Sequence, residues 1–147
     1  MNAPAPPTAK SVVALFNSSD DTVEMVRRML EASGFATLIG CRLADLKKGR
    51  VDFERYMALH QPQVVVVDIS PPYAQNWAFF KTIRDSMAMK GRGLVLTTTS
   101  KDRLDETVGR DSEALEIVGK PYDLRQIDGA IRTAMKRAST RRAAPSP

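Results

Sequence analysis

The sequence predicts a doubly wound α/β fold: a five-stranded parallel sheet in the order 2-1-3-4-5, with helices on both faces. Three observations predict it. First, short apolar runs alternate with amphipathic stretches along most of the chain, and alternating strand–helix units build a parallel sheet covered by helices. Second, Val64-Val65-Val66-Val67 is a β-branched run without polar alternation, the mark of a strand buried on both faces in the middle of such a sheet. Third, 147 residues with 43% hydrophobic and 27% charged side chains suit one domain of ordinary globular composition.

The elements follow in order. Residues 1–9, MNAPAPPTA, lack periodicity and read as a disordered leader. The domain is expected over residues 10–137. SVVALF (11–16) is the first strand. Asn17-Ser18-Ser19-Asp20-Asp21 is a loop rich in capping residues, and Asp21 with Glu24 fits a helix start. Val23, Val26 and Leu30 then recur at helical spacing until Gly34. ATLIGC (36–41) is a weaker second strand, and RLADLKKGR (42–50) is a polar insertion without a clear assignment. Phe53, Tyr56, Met57 and His60 mark one face of a helix that Pro62 stops. The valine run ends in Asp68, and Ile69-Ser70-Pro71-Pro72 is a loop. Trp77, Phe80, Ile83 and Arg84 predict the next helix, and GLVLTTTS (93–100) the fourth strand. Leu104 and Val108 are the inward pair of a short polar helix over 101–109. ALEIVG (114–119) is the fifth strand, running into Lys120-Pro121. Leu124, Ile127 and Ile131, with Ala130 and Ala134, predict a last amphipathic helix, the fifth, and residues 138–147 a basic disordered tail.

Composition excludes several function classes. With one cysteine, Cys41, and one histidine, His60, there is no disulfide framework and no multi-His metal site. The apolar runs fall far short of the ~20 residues of a membrane helix, and the start lacks the apolar core of a signal peptide, so a cytoplasmic protein is expected. The net charge of +5 is concentrated: Lys136, Arg137, Arg141 and Arg142 lie beyond residue 135, and residues 1–135 carry only +1. That is not the charge pattern of a dedicated nucleic-acid domain.

In an open doubly wound sheet, ligands bind outside the C-terminal ends of the strands. The chain places Asn17 and Ser18 there after strand 1, Asp68 after strand 3, Thr97 and Thr98 after strand 4, and Lys120 after strand 5. One carboxylate, one or two hydroxyls and one ammonium converge on a single edge. With the VVVVD of 64–68, the LTT of 96–98, the GKP of 119–121 and the order of the βα units, the chain resembles the receiver domain of two-component response regulators over roughly residues 10–135.

The resemblance implies a flavodoxin-like receiver fold. It makes Asp68 the phosphoacceptor, Thr97 (or Thr98) the hydroxyl that contacts the acyl phosphate, and Lys120 the cation that pairs with the phosphoryl group. It implies a cis peptide at Lys120–Pro121 and the backbone carbonyl of Ser70 as a metal ligand. Mg2+ would be the cofactor, but the family's acidic pair on strand 1 is replaced by Asn17 and Ser18, so binding should be weak. Asp20 and Asp21 follow closely, either as distant metal ligands or as residues that suit a helix N-terminus. Ile117 stands where many receivers carry a switching aromatic. The implied partners are a sensor histidine kinase or phosphotransfer protein and a downstream protein. Nucleic acid and membranes are not expected, and a homodimer stays open. The expected activity is that of a stand-alone phosphoacceptor rather than an enzyme. The competing reading is a pseudo-receiver, the same fold used as a phosphorylation-independent interaction module. A flavin-binding relative is disfavoured by Asp20 and Asp21, which would repel phosphate at the first helix. No P-loop or GxGxxG occurs. Ser70 replaces the second Asp that a haloacid-dehalogenase-type phosphatase requires.

Overall fold

The computed structural model describes residues 11–17, 20–34, 36–98, 100–108, 116–119 and 124–143. Five strands, β1 (Ser11–Asn17), β2 (Ala36–Arg42), β3 (Val64–Ile69), β4 (Gly93–Thr98) and β5 (Glu116–Gly119), form one sheet in the order β2-β1-β3-β4-β5. Every pairing is parallel. The predicted order and central valine strand are both present.

The helices are α1 (Asp20–Ser33), α2 (Leu43–Lys47), α3 (Phe53–His60), α4 (Tyr73–Arg84), α5 (Lys101–Val108) and α6 (Leu124–Ala143), with a 3-10 turn at Met87–Met89. The sixth helix is a correction to the expected five: the polar insertion after β2 forms α2. Here Leu46 buries itself in the core and so fixes a short helix that propensity alone would not hold. A second correction concerns α1, which already includes Asp20, so Asp21 sits inside the first turn rather than at the cap. The next helix, α3, is capped by Asp52, whose side chain accepts a hydrogen bond from the Arg55 backbone at 3.2 Å. The last helix continues past residue 137 into the segment read as a tail, and Ala138 on it is buried. Residues 1–9, the Lys120–Pro121 peptide and residues 144–147 lie outside the described residues. Among the described residues, a cis X–Pro bond is found at Pro71–Pro72.

Strand alternation divides the core in two. On one face Val13 and Leu15 of β1, Val64 and Val66 of β3 and Val95 of β4 pack against Val26 and Leu30 of α1 and Ile127 and Ile131 of α6. On the other, Ala14, Phe16, Val65, Val67, Ile69 and Leu96 meet Met57 of α3, Trp77, Phe80 and Ile83 of α4, and Leu104 of α5. Phe16 also stands 5.9 Å from the Phe53 ring and 5.4 Å from the Tyr56 ring, which ties α3 to the sheet. Each fully buried valine contributes about 1.5–3 kcal/mol of transfer free energy, so the four valines of β3 anchor the middle of the sheet.

Gly93 opens β4 where α6 crosses it. A Cβ at that position would lie 2.5 Å from the Ala134 carbonyl oxygen and 2.7 Å from its carbon. The missing side chain lets a helix backbone rest directly on the strand.

Candidate functional site

Among the described residues, the buried polar side chains are Asn17, Asp68, Thr97 and Thr98, and all four stand at the C-terminal ends of β1, β3 and β4. Burying polar groups costs free energy unless they are paired, so their collection at one edge marks a built site.

Alternation explains which of them meet. Asn17 follows Val13 and Leu15, Asp68 follows Val64 and Val66, and Thr97 follows Val95, so the three share the sheet face that packs on α1 and α6. Asp68 is the register partner of Thr97, and the β1–β3 pairing runs up to Phe16↔Val67, one residue short of Asn17 and Asp68. Three adjacent strands thus bring their polar ends into one row. The Thr97 hydroxyl donates to Asp68 Oδ1 at 2.8 Å. Asp68 is 2% exposed, and Thr97 and Asn17 are each 1% exposed. Thr98 falls on the opposite face, and its Oγ1 accepts the Ser100 backbone N–H at 3.4 Å. The hydroxyl beside Asp68 is therefore that of Thr97.

The loop after β3 carries a second polar chain. Asn76, on the first turns of α4, donates from Nδ2 to the Ser70 carbonyl oxygen at 2.6 Å. Its Oδ1 accepts a hydrogen bond from the Lys47 ammonium. That ammonium also lies 5.6 Å from the centroid of the Phe79 ring. Leu43, Lys47, Asp68, Ser70, Asn76 and Phe79 line a cavity of about 180 Å³.

A wider cavity, about 480 Å³, is lined by Asn17 together with Glu24, Arg27, Cys41, Asp45 and Tyr56. Its charges are engaged: Arg27 pairs with Glu24 at 2.8 Å, and Arg50 reaches Asp45 at 3.5 Å. Burial, and after it the charge of Asp45, pushes the Cys41 thiol above its ordinary value. Burial, with a smaller contribution from Cys41, pushes Tyr56 up to about 12.

Mg2+ asks for a shell of oxygen ligands with carboxylate among them. The described donors at this edge are one carboxylate, Asp68, the Asn17 amide oxygen and the Ser70 carbonyl, which already accepts Asn76. No group of three His, Cys, Asp or Glu comes together among the described residues. Among the described residues, one carboxylate and two neutral oxygen donors are therefore what this edge offers a divalent cation. Asp20 is the first residue of α1, but its side chain lies outside the described ones, as do Ser18 and Lys120.

Sequence reasoning missed Lys47 and Asn76. Asn76 had a readable signal: with Tyr73, Trp77 and Phe80 it occupies the i, i+3, i+4, i+7 positions of the buried stripe of α4. A polar residue inside such a stripe needs a partner.

This architecture, with its row of polar strand ends, is the flavodoxin-like receiver fold. A signal receiver domain of an HD domain-containing protein from Pseudomonas fluorescens Pf-5 superposes with a TM-score of 0.68 at 18% identity, over 97% of this chain and 98% of that one. A sensor protein from Polaromonas sp. JS666 gives 0.69 at 14% identity, covering 88% and 99%. A transiently phosphorylated switch of bacterial signal transduction gives 0.65 at 17% identity, covering 88% and 98%. In sequence, the chain is 23% identical over 119 residues to the transcriptional regulatory protein GltR of Pseudomonas aeruginosa, covering 81% of this chain and 48% of that protein. It is 26% identical over 135 residues to the transcriptional regulatory protein CseB of Streptomyces avermitilis, covering 91% and 51%. The chain therefore spans about half the length of the curated relatives it matches. No protein-family model matches it.

Proposed function

We propose that this chain is a receiver that accepts a phosphoryl group on Asp68 in two-component signal transduction. The observation that carries the reading is the buried Asp68–Thr97 pair, joined at 2.8 Å at the C-terminal edge of the central strands. Phosphoryl transfer needs a positioned nucleophile and electrostatic stabilisation of the transferring oxygens, with little other chemistry. A carboxylate oxygen of Asp68 bonds to phosphorus as the phosphorus–nitrogen bond of a donor phosphohistidine breaks, and the electron pair returns to the imidazole. Thr97 fixes the carboxylate before transfer and offers its hydroxyl to a phosphoryl oxygen afterwards. Lys120, placed after β5 by sequence, adds the balancing charge. The donor is a sensor histidine kinase or a phosphotransfer protein, and the recipient of the signal is a downstream protein. The chain turns over no substrate and works in the cytoplasm. No described helix is long and apolar enough to cross a membrane.

Metal binding is weak in this reading, because Asn17 stands where an acid would strengthen it. The same neutral residue favours the second reading, a pseudo-receiver that binds its partner without phosphorylation. Incubation with acetyl phosphate followed by intact mass measurement separates them. The receiver gains one phosphoryl group and Asp68→Asn gains none. A wild-type chain that stays unmodified with and without Mg2+ belongs to the pseudo-receiver class.

A further inference from the structure

We propose that the outer edge of β2 is an interface between two copies of this chain, which pair their β2 strands antiparallel about a two-fold axis and join two sheets into one.

An edge strand presents unpaired backbone N–H and C=O groups, and proteins blunt such edges by keeping the strand short, by charge or proline on it, or by a bulge. The sheet ends in β2 on one side and β5 on the other. β5 is blunted: it has four residues and begins with Glu116. β2 has none of these protections. It runs for seven residues, and each of them, from Ala36 to Arg42, pairs one-to-one with β1, so no bulge breaks it. Ala36-Thr37-Leu38-Ile39-Gly40-Cys41 holds neither charge nor proline. Among the described residues, no group outside the sheet hydrogen-bonds the backbone of Thr37, Leu38, Ile39, Gly40 or Cys41.

The helices leave room for a second strand. By strand alternation, Gly40 and Arg42 share the α1 side with Leu38, and Cys41 shares the α3 side with Ile39. The cavity of about 480 Å³ is lined from both sides, by Val23, Gly40 and Arg42 and by Cys41 and Tyr56. The space between α1 and α3 is therefore open around the C-terminal end of β2, where a second strand would enter.

The strand is also complementary to itself. Antiparallel pairing centred on Ile39 sets Ile39 against its own copy, Leu38 against Gly40, Thr37 against Cys41 and Ala36 against Arg42. The bulky Leu38 then faces a residue without a side chain, and the half-buried Ile39 meets its equal on the α3 side. The charges fit this direction. The exposed Arg42 of one copy arrives where β2 of the other begins, just after the C-terminal end of α1. That end is the negative pole of the helix, and it bears Glu31 with no base in the last turn. Parallel pairing in register would set Arg42 against Arg42 instead.

Sedimentation velocity of the full chain over a concentration series reads the assembly, and wild type should pass from monomer to dimer. Thr37→Lys puts a charge on the edge at a half-buried polar position, and should leave the chain monomeric wherever wild type is dimeric. An unchanged thermal melt shows that this variant keeps its fold. A cross-link reads the register. Thr37→Cys sets a thiol opposite the native Cys41 of the second copy, with about 4.5–5.5 Å between directly opposed Cβ atoms. Diamide, which takes up two electrons and two protons for each disulfide formed, should convert this variant to a covalent dimer. Within one chain the two thiols lie ~13 Å apart along the strand, too far to bond. Thr37→Cys combined with Cys41→Ser should not cross-link. A wild-type chain that stays monomeric throughout, a Thr37→Lys variant that dimerises as wild type does, or a Thr37→Cys variant that diamide leaves uncross-linked overturns the proposal.

Discussion

Thr97 and Asp68 are partners twice over: their backbones are register neighbours on β4 and β3, and the Thr97 hydroxyl donates to Asp68 Oδ1 at 2.8 Å. The hydrogen bond needs no loop to form it. Any slip of β4 against β3 by one residue would turn Thr97 to the opposite face, so the carboxylate's anchor is as secure as the sheet.

Thr97→Val removes the hydroxyl but keeps the shape. It leaves a buried carboxylate oxygen without that donor, at a cost of about 1–3 kcal/mol. Urea denaturation should show the loss as a lower midpoint with an unchanged slope, and phosphorylation by acetyl phosphate should slow. Thr97→Ser should recover most of both. A Val variant as stable and as reactive as wild type would remove Thr97 from the site.

Asn17 ends β1 beside Asp68 without contributing a charge. Mg2+ should bind wild type at the millimolar level or more weakly. Asn17→Asp should strengthen binding by about tenfold or more, the scale that one close charge reaches even at an effective dielectric near ~20. Titration followed by Trp77 fluorescence or by amide shifts near Asp68 measures it. Micromolar binding by wild type, or no change in Asn17→Asp, would mean that Asp20 or Asp21 already serves as the missing acid.

Gly93 is the point where α6 rests on β4 by backbone contact. Gly93→Ala forces the helix off the strand and should cost about 1–3 kcal/mol. The Ala134 carbonyl cannot retreat as a flexible side chain would. A variant with an unchanged melting temperature would show that α6 yields more easily than its packing indicates.

Cys41 lies in the wider cavity with its thiol pushed up by burial and, secondarily, by Asp45. Thiolate is the reactive form. Iodoacetamide should therefore alkylate Cys41 more slowly than free cysteine at pH 8, and the rate should keep climbing beyond the pH at which free cysteine has levelled off. Asp45→Asn should bring the curve part of the way back. A rate equal to that of free cysteine at pH 8 would contradict the shift.

The parts of the fold legible in the sequence are those with an unambiguous apolar pattern. Val64–Val67 can only be an inner strand, and Trp77, Phe80 and Ile83 can only be one face of a helix. The row Asn17, Asp68, Thr97 was legible because each residue directly ends such a run. The choice between Thr97 and Thr98 was not, since it depends on the parity of β4, which the register with β3 supplies. Residues 42–50 were opaque for a different reason. Two leucines among charged residues give too short a period to read, and α2 is held by its burial rather than by its own propensity. The Lys47–Asn76 contact joins positions 29 apart in the chain, a distance at which local patterns say nothing.

The four valines of β3 have one further consequence, which concerns synthesis of the chain. One edge of β3 is covered by β1, which emerges from the ribosome well before it, and the other by β4, which begins only at Gly93. A nascent or truncated chain that stops between β3 and β4 presents an unprotected run of β-branched residues with open backbone groups, the kind of edge that recruits other chains. A chain truncated between Ser70 and Arg92 should therefore associate with other chains more readily than the full chain does.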